Sequence, residues 1–269
     1  MSLKTSDELN LARWVDHVLE SLNTKGYFYD SQFFSNVANA DAVMVAARSL
    51  GSVFVPPDTD NQRPVISTRP SIRAPKWRPF DRRESIGWHN DFSTRAERPE
   101  VSLSWIRRED PSGPWFGAWR VASVGGVLTK LCDREDGRSL ARKLSKETQP
   151  FGYTDGDSTK FFRVICQEGM RFYGRALTEG ARLAFGQTPD HTREMIGLIE
   201  EAADAVGETL PASRGALLVV HNWFSLHDRT EQTVKGTGAR RQAQLSFVKK
   251  LHRPLSRPCV PISMGGARA

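Results

Sequence analysis

Cysteine is scarce. The 269 residues contain only Cys132, Cys166 and Cys259. An odd number at wide spacing makes neither a disulfide framework nor a zinc site, so a reduced, cytoplasmic protein is expected. No apolar run approaches the ~20 residues of a membrane helix, and residues 1–6 are polar, which argues against a signal peptide. Internal repeats and low-complexity tracts are lacking. So are nucleic-acid motifs, and no Lys/Arg block is interleaved with aromatics. The net charge of +7, from 38 basic and 31 acidic residues, therefore suits an anionic small molecule, or no specific partner, rather than nucleic acid. A membrane is not expected as a partner, and oligomeric state leaves no trace.

What is present is ordinary globular composition, 39% apolar and 26% charged. A single domain over residues 1–269 is expected, since all-β barrels of this length often form one unit around a large core. Thr5 and Glu8 are spaced as a capping box, and Leu11, Val15, Val18 and Leu22 recur at helical spacing up to Gly26. Residues 27–29 read as a short strand. A second helix is predicted over residues 41–50, capped by Asn39 or Asp41 and closed by Gly51, followed by a strand at 53–55. Residues 58–83 are rich in Arg and Pro and poor in periodicity, apart from a possible strand at 65–67. They read either as a solvated basic loop or as a flexible lid beside a site.

Val101, Leu103 and Trp105 alternate with Ser102, Ser104 and Ile106, the pattern of a strand with one buried face. Residues 110–113 form a turn. A strand is predicted over 116–121, helices over 124–131 and 139–144, and strands over 161–166 and 170–173 around Glu168-Gly169. Thr188-Pro189 opens a helix with Thr188 as its cap, ended by Gly207. Its stripe of Met195, Ile196, Ile199, Ala202, Ala203 and Val206 packs across a sheet in this reading. Residues 215–220 read as a buried strand, 221–224 as a turn, and a strand with Ala243, Leu245 and Phe247 on one face follows a Gly-rich loop at 235–238.

The chain is organised around Trp88-His89-Asn90-Asp91. On a strand, His89 and Asp91 share a face and offer an imidazole nitrogen and a carboxylate oxygen to one point, while Asn90 points away in a structural role. Two such ligands hold a metal poorly, and His-x-Asp alone is common on ordinary surfaces. His227 would complete the 2-His-1-carboxylate face that suits non-haem Fe(II) and leaves three positions open. The order after residue 215 is strand, turn, His, loop, Arg, strand. A histidine ending one strand and an arginine starting its neighbour can then serve one cavity, the guanidinium gripping a carboxylate in bidentate fashion. Taken alone, Arg240-Arg241 would read as exposed charges opening an edge strand.

These segments, GWHND, GALLVVHNWFSLHDRTEQ and ARRQAQLSFV, resemble the Fe(II)/2-oxoglutarate-dependent dioxygenases, specifically the taurine dioxygenase and clavaminate synthase-like group. The likeness is strongest over residues 215–248 and looser over the rest. It implies a mainly β fold with flanking α-helices around a double-stranded β-helix (jelly-roll) core. It implies Fe(II), 2-oxoglutarate and O2 as cofactor and cosubstrates. His89, Asp91 and His227 take the place of the iron ligands. Arg241, about fourteen residues after the distal histidine, takes that of the arginine binding the C5 carboxylate of 2-oxoglutarate, with Arg240 as the alternative if the register slips. Asp228 stands where the family has Gly or Ala and would put a carboxylate close to the metal. The family's Thr contact to 2-oxoglutarate falls on Ala118 or Trp119, leaving Ser123 or Thr129 to supply a hydroxyl. Asp91 is retained where halogenating members have Gly or Ala, which implies hydroxylation or a related C–H oxidation such as desaturation. Outer acceptors are expected to fix the tautomers of both histidines. Phe92, Ser93, Thr94, Trp223 and Phe224 are candidate substrate contacts, and Arg229, from the family's His-x-Arg, is expected near the site. The implied substrate is a small polar, amino-acid-like or natural-product intermediate, anionic if the Arg-rich loop serves it. A cupin-like metalloenzyme without 2-oxoglutarate and a non-catalytic basic binding protein are the competing readings.

Overall fold

The computed structural model describes residues 5–33, 42–56, 63–74, 78–152, 159–234 and 240–255. The Asn39 or Asp41 cap, the loop at 235–238, Cys259 and the side chains of the Thr5–Glu8 box lie outside the described residues.

In chain order the elements are α1 (Thr5–Lys25), β1 (Tyr27–Asp30), α2 (Ala42–Leu50), β2 (Gly51–Phe54), β3 (Val65–Thr68), β4 (Val101–Arg108), β5 (Trp119–Ser123), α3 (Val124–Cys132), α4 (Glu135–Lys146), β6 (Thr148–Phe151), β7 (Lys160–Arg163), β8 (Ile165–Cys166), β9 (Gly169–Met170), α5 (Gly174–Phe185), α6 (Asp190–Val206), β10 (Glu208–Leu210), β11 (Leu217–His221), β12 (Ser225–Arg229) and β13 (Gln242–Leu251). All strand pairings are antiparallel. The larger sheet runs β1-β11-β4-β13-β2, with β3 also on β13, and a smaller sheet runs β10-β5-β12. A cavity between the two sheets is lined from both: Ser102, Ser104, Leu218, Val220, Ala243, Leu245 and Phe247 on one side, Trp119, His227 and Arg229 on the other. This is the jelly-roll core the resemblance implied, with helices packed around it.

Alternation explains the larger sheet. Val101, Leu103 and Trp105 of β4, with Leu217 and Val219 of β11, meet Val18 and Leu22 of α1 and Val43, Ala46, Ala47 and Leu50 of α2 in one apolar cluster. The other face carries Leu218, Val220 and Ala243, packed with Trp119 and Val121 of the smaller sheet. The expectation of one buried face on β4 is thereby corrected. Ser102 is 6% exposed and Ile106 not at all, because the serine face looks into the cavity rather than to solvent.

Other expectations shift locally. The strand predicted from residue 116 begins at Trp119, because the chain turns first, with Phe116 N–H bonded to Gly113 O at 3.1 Å. Thr188 is not the cap of α6. Pro189 holds that place in an extended conformation, and the Thr188 hydroxyl donates to Thr178 O at 3.2 Å. Helix α6 packs against α3 and α5 as well as on β5 of the smaller sheet. Its Met195, Ile199, Ala202 and Ala203 join Val127, Leu131 and Leu177 in a helical cluster that also takes in Trp88. Helix α5 was not foreseen. Gly180 breaks its helical pattern, and it is there because a Cβ would lie 2.4 Å from Pro150 O of β6.

The described part of the Arg-rich segment is tied down. Asp81 accepts from Arg69 N–H at 2.7 Å and pairs with Arg78. Gln232 Nε2 donates to Phe80 O and Arg82 O at 3.0 and 2.7 Å, and Arg229 Nη2 to Arg82 O and Glu84 O at 2.9 and 2.8 Å. Phe80 and Ile86 thus become a fixed wall of the cavity.

Candidate metal centre

His89 and Asp91 do not share one strand. His89 stands in an isolated antiparallel bridge directly opposite His227, each N–H donating to the other's carbonyl at 2.9 Å. Asp91 opens the turn that follows, and its neighbour Phe92 has φ +56°. The pairing puts the two imidazole rings 4.3 Å apart. His227 Nε2 lies 3.3 Å and His89 Nε2 3.8 Å from carboxylate oxygens of Asp91. One ligand atom from each of the three residues lies within 4.8 Å of the others, spacing that could hold one metal ion.

Asn90 secures this geometry from the opposite face, as the alternation suggested. It is 1% exposed. Its Nδ2 donates to Ser225 O at 2.8 Å, its Oδ1 accepts from Phe172 N–H at 2.8 Å, and its own N–H donates to Phe172 O at 2.9 Å. Asn222 holds Asp91 from the other side, accepting from its N–H at 2.7 Å and donating to its carbonyl at 2.8 Å.

The electrostatics suit a cation. Burial, helped by repulsion from His227, lowers the His89 imidazole to about 4, so the ring is neutral at physiological pH and free to ligate. Burial alone would raise the Asp91 carboxyl, but the two imidazoles outweigh it and hold the carboxyl well below its usual range. His89 Nδ1 is 2.8 Å from Gly87 O. A carbonyl only accepts, so Nδ1 carries the proton and Nε2 keeps its lone pair. Among the described residues His227 Nδ1 is buried without a partner, so among them the expected outer acceptor is present for one histidine only.

Asp228 borders the cavity and its charge is felt at His89, but its carboxylate is not one of the grouped ligand atoms. Strand alternation turns it from the His227 side, and its carboxylate is engaged by Ser85 Oγ, Gly87 N–H and Arg120. Arg241 reaches the cavity from the start of β13, in the sheet facing β12 rather than on a neighbouring strand. It is 3% exposed, and its Nε has no hydrogen-bond partner among the described residues. Burial, with Arg229 alongside, pulls its guanidinium down to about 9. Asp110 acts on it from a distance, but that carboxylate is taken by Ser112 and Thr233. Gly117 makes room for it, since a Cβ there would lie 2.7 Å from Arg241 Cδ. Arg240 points elsewhere and donates to Pro70 O at 2.8 Å.

Of the other residues singled out from the sequence, Arg229 lines the cavity. Phe92 packs instead between Phe54 and Phe247, Ser93 and Thr94 are buried in the turn after Asp91, and Trp223 lies under the Arg98 guanidinium at 3.6 Å. Phe224 stacks on His221. Ser123 caps α3 through Gly126 N–H and Thr129 is exposed on that helix, so neither supplies a cavity hydroxyl. Sequence reasoning missed the hydroxyls that do line it, Ser102, Ser104 and Thr68, although Ser-x-Ser on a strand with an apolar opposite face was a usable signal. It also missed Tyr173, whose ring lies 5.4 Å from that of His89, and no local pattern marks that residue.

No family model and no curated protein matches the chain. Among solved structures, asparagine oxygenase in complex with Fe(II), 2S,3S-3-hydroxyasparagine and succinate superposes with a TM-score of 0.71 at 18% identity, covering 89% of this chain and 79% of that one. The non-heme iron oxygenase OrfP, in complex with Fe and alpha-ketoglutaric acid, gives 0.63 at 12% identity, with 90% and 79% covered. The PvcB protein from Pseudomonas aeruginosa gives 0.62 at 14% identity, with 88% and 79% covered. The chain has the fold of these oxygenases. Among the described residues no helix is long and apolar enough to cross a membrane.

Proposed function

We propose that the protein is an Fe(II)- and 2-oxoglutarate-dependent oxygenase that hydroxylates or desaturates an unactivated C–H bond of a small polar, amino-acid-like molecule. The observation that carries this reading is one cavity that holds both a 2-His-1-carboxylate set and a buried arginine with no partner for its Nε. The donor set fits Fe(II), since two neutral imidazoles and one carboxylate leave half an octahedron open. The orphaned Arg241 fits an acid, since a buried lone cation is costly until a carboxylate joins it.

In this reading His89, Asp91 and His227 hold iron through Nε2, a carboxylate oxygen and Nε2. Iron bound there with the oxoacid would supply the activation of O2. Arg241 grips the far carboxylate of 2-oxoglutarate as a bidentate pair. Ser102, which lines the cavity with its hydroxyl unpartnered among the described residues, provides a hydroxyl where the family's Thr is missing. Phe80, Ile86, Leu245 and Phe247 make the rest of the enclosure apolar and keep water from the reacting centre. Asp91 would fill the ligand place that halogenating members, with Gly or Ala there, leave free for chloride, which favours hydroxylation-type outcomes. The bound hydroxyasparagine and hydroxyarginine of the structural neighbours support an amino-acid-like substrate. An anionic group on it would be met by Arg82 and Arg175, whose charges act on Tyr173, the residue whose ring lies 5.4 Å from that of His89. The chain then works as a single domain in a reducing, cytoplasmic setting, where Cys132 and Cys166 remain thiols.

The test is an anaerobic titration of the metal-free protein with Fe(II) and then 2-oxoglutarate, read by the visible charge-transfer absorption of the chelate. A band that saturates in the wild type, and needs far more 2-oxoglutarate in Arg241→Ala, is expected. Iron binding without any band would move the protein to the cupin-like class, and salt-dependent binding of polyanions without iron binding would make it a basic binding protein.

A further inference from the structure

Asp228 is buried beside a metal ligand yet faces away from it, and its partners lead back to the other histidine. It is 2% exposed. Its oxygens accept from Ser85 Oγ at 2.9 and 2.8 Å, from Gly87 N–H at 2.9 Å and from Arg120 Nη1 at 3.3 Å. Gly87 has φ +87°, a conformation costing other residues ~1–2 kcal/mol. The Gly87 carbonyl is the acceptor for His89 Nδ1.

We infer that Asp228 is a positioning residue that fixes the tautomer of His89, so that the dipeptide His227–Asp228 provides one ligand and orients another. The inference rests on the iron-site reading above. Gly87 is held from both sides. Asp228 grips its N–H, while Trp88, the next residue, donates from Nε1 to Asp204 at 2.7 Å. Arg120 ties the two anchors together. It pairs with both Asp228 and Asp204, and its guanidinium lies 4.6 Å over the Trp88 ring. With both neighbouring peptides fixed, the Gly87 carbonyl has one direction, toward His89 Nδ1. The proton is thereby confined to Nδ1, and the Nε2 lone pair is left facing Asp91. His227 lacks any acceptor at its own Nδ1 among the described residues and faces Asp91 through Nε2 at 3.3 Å, so the brace acts on His89 alone. Gly87 N–H also reaches Ser85 Oγ at 3.1 Å, so a Gly or Ala at position 228 would leave it only that hydroxyl, which would itself have lost the carboxylate that holds it.

The experiment uses the full chain. Nitrogen-15 NMR of the histidine rings in the metal-free protein reads which nitrogen of His89 is protonated, and anaerobic Fe(II) titration reads affinity. The wild type is expected to show Nδ1–H. Asp228→Ala is expected to mix the tautomers of His89, leave His227 unshifted and weaken Fe(II) by about tenfold or more. Asp228→Asn keeps an acceptor for Gly87 N–H and is expected to keep the tautomer, with most of the iron affinity. If Asp228→Ala does not fold, Ser85→Ala gives the same readout with a smaller displacement. A folded Asp228→Ala whose His89 stays wholly Nδ1–H overturns the inference, as does an equal loss of iron in the Ala and Asn variants without a tautomer change. Failure of the wild type to bind Fe(II) would strike the iron reading instead, and the NMR comparison would still decide the tautomer claim.

Discussion

The two ends of the cavity are built on opposite terms. At the histidine end most orienting groups are satisfied, with His227 Nδ1 the exception among the ligand rings: the His89–His227 backbone pair, the Asn90 amide, the Asn222 clamp on Asp91 and the Gly87 carbonyl on His89. At the Arg241 end, buried polar atoms are left without partners, Arg241 Nε, Arg229 Nε and Gln232 Oε1. Buried polar atoms are normally paired, so the contrast locates what is missing. A small cation needs ligands already in position, and the protein fixes them with bonds that do not involve the ion. A carboxylate brings its own acceptors, and the protein keeps a donor free for it.

The largest effect should come from destroying the satisfied end. His227→Ala leaves two ligands, and Fe(II) affinity measured anaerobically should fall by more than about a hundredfold, beyond the loss from an outer partner. Undiminished iron binding would mean the triad is not the metal site. The open end should respond in two directions. Arg241→Met should weaken 2-oxoglutarate by about 2–5 kcal/mol, roughly thirtyfold or more, yet raise the melting temperature of the cosubstrate-free protein by removing a lone buried charge. A fall in both would contradict the contrast. Asn90→Ala leaves Ser225 O and Phe172 N–H buried without their partner and should cost about 2–3 kcal/mol in denaturant unfolding, with iron affinity falling in parallel.

Acid should separate the ends next. His89 is lowered to about 4, and His221, buried beside Arg98, to about 3, from an ordinary 6.5. The unfolded chain therefore binds more protons between those values. The stability from burying neutral rings is complete above pH 6.5 and is lost as pH falls through 6.5 toward 4. Melting temperature should decline over that window, and His221→Phe should make the decline shallower. The smallest effect is expected at Arg240. Its bond to Pro70 O is partly exposed, so Arg240→Ala should change stability by under about 1 kcal/mol and leave 2-oxoglutarate affinity unchanged. A large loss there would transfer the anchoring role from Arg241.

The local elements were legible where period and punctuation agreed. Helix α1 with its stop at Gly26, strands β11 and β13, and helix α3 follow from spacing alone. Helix α5 was hidden because Gly180 serves a contact with β6, not its own helix. The serines of β4 looked like a solvent face because small hydroxyls line a polar cavity as readily as a surface. The three ligand-type residues were readable as types, and Asn90 as their structural neighbour. The partners of Asp228 were not, because Ser85, Gly87 and Arg120 lie more than a hundred residues away in the chain.

By itself, then, the amino-acid order determined the periodic elements, the absence of membrane-length apolar runs and the residue types able to ligate iron and bind an acid. Only the tertiary structure decided that His89 and His227 stand opposite one another, that Arg241 rather than Arg240 enters the cavity, and that Asp228 turns to Gly87. Each of those is a matter of register between segments far apart in the chain. Pleating fixes alternation within a strand, but a shift of one residue in the pairing reverses every side chain, and no local pattern carries that choice.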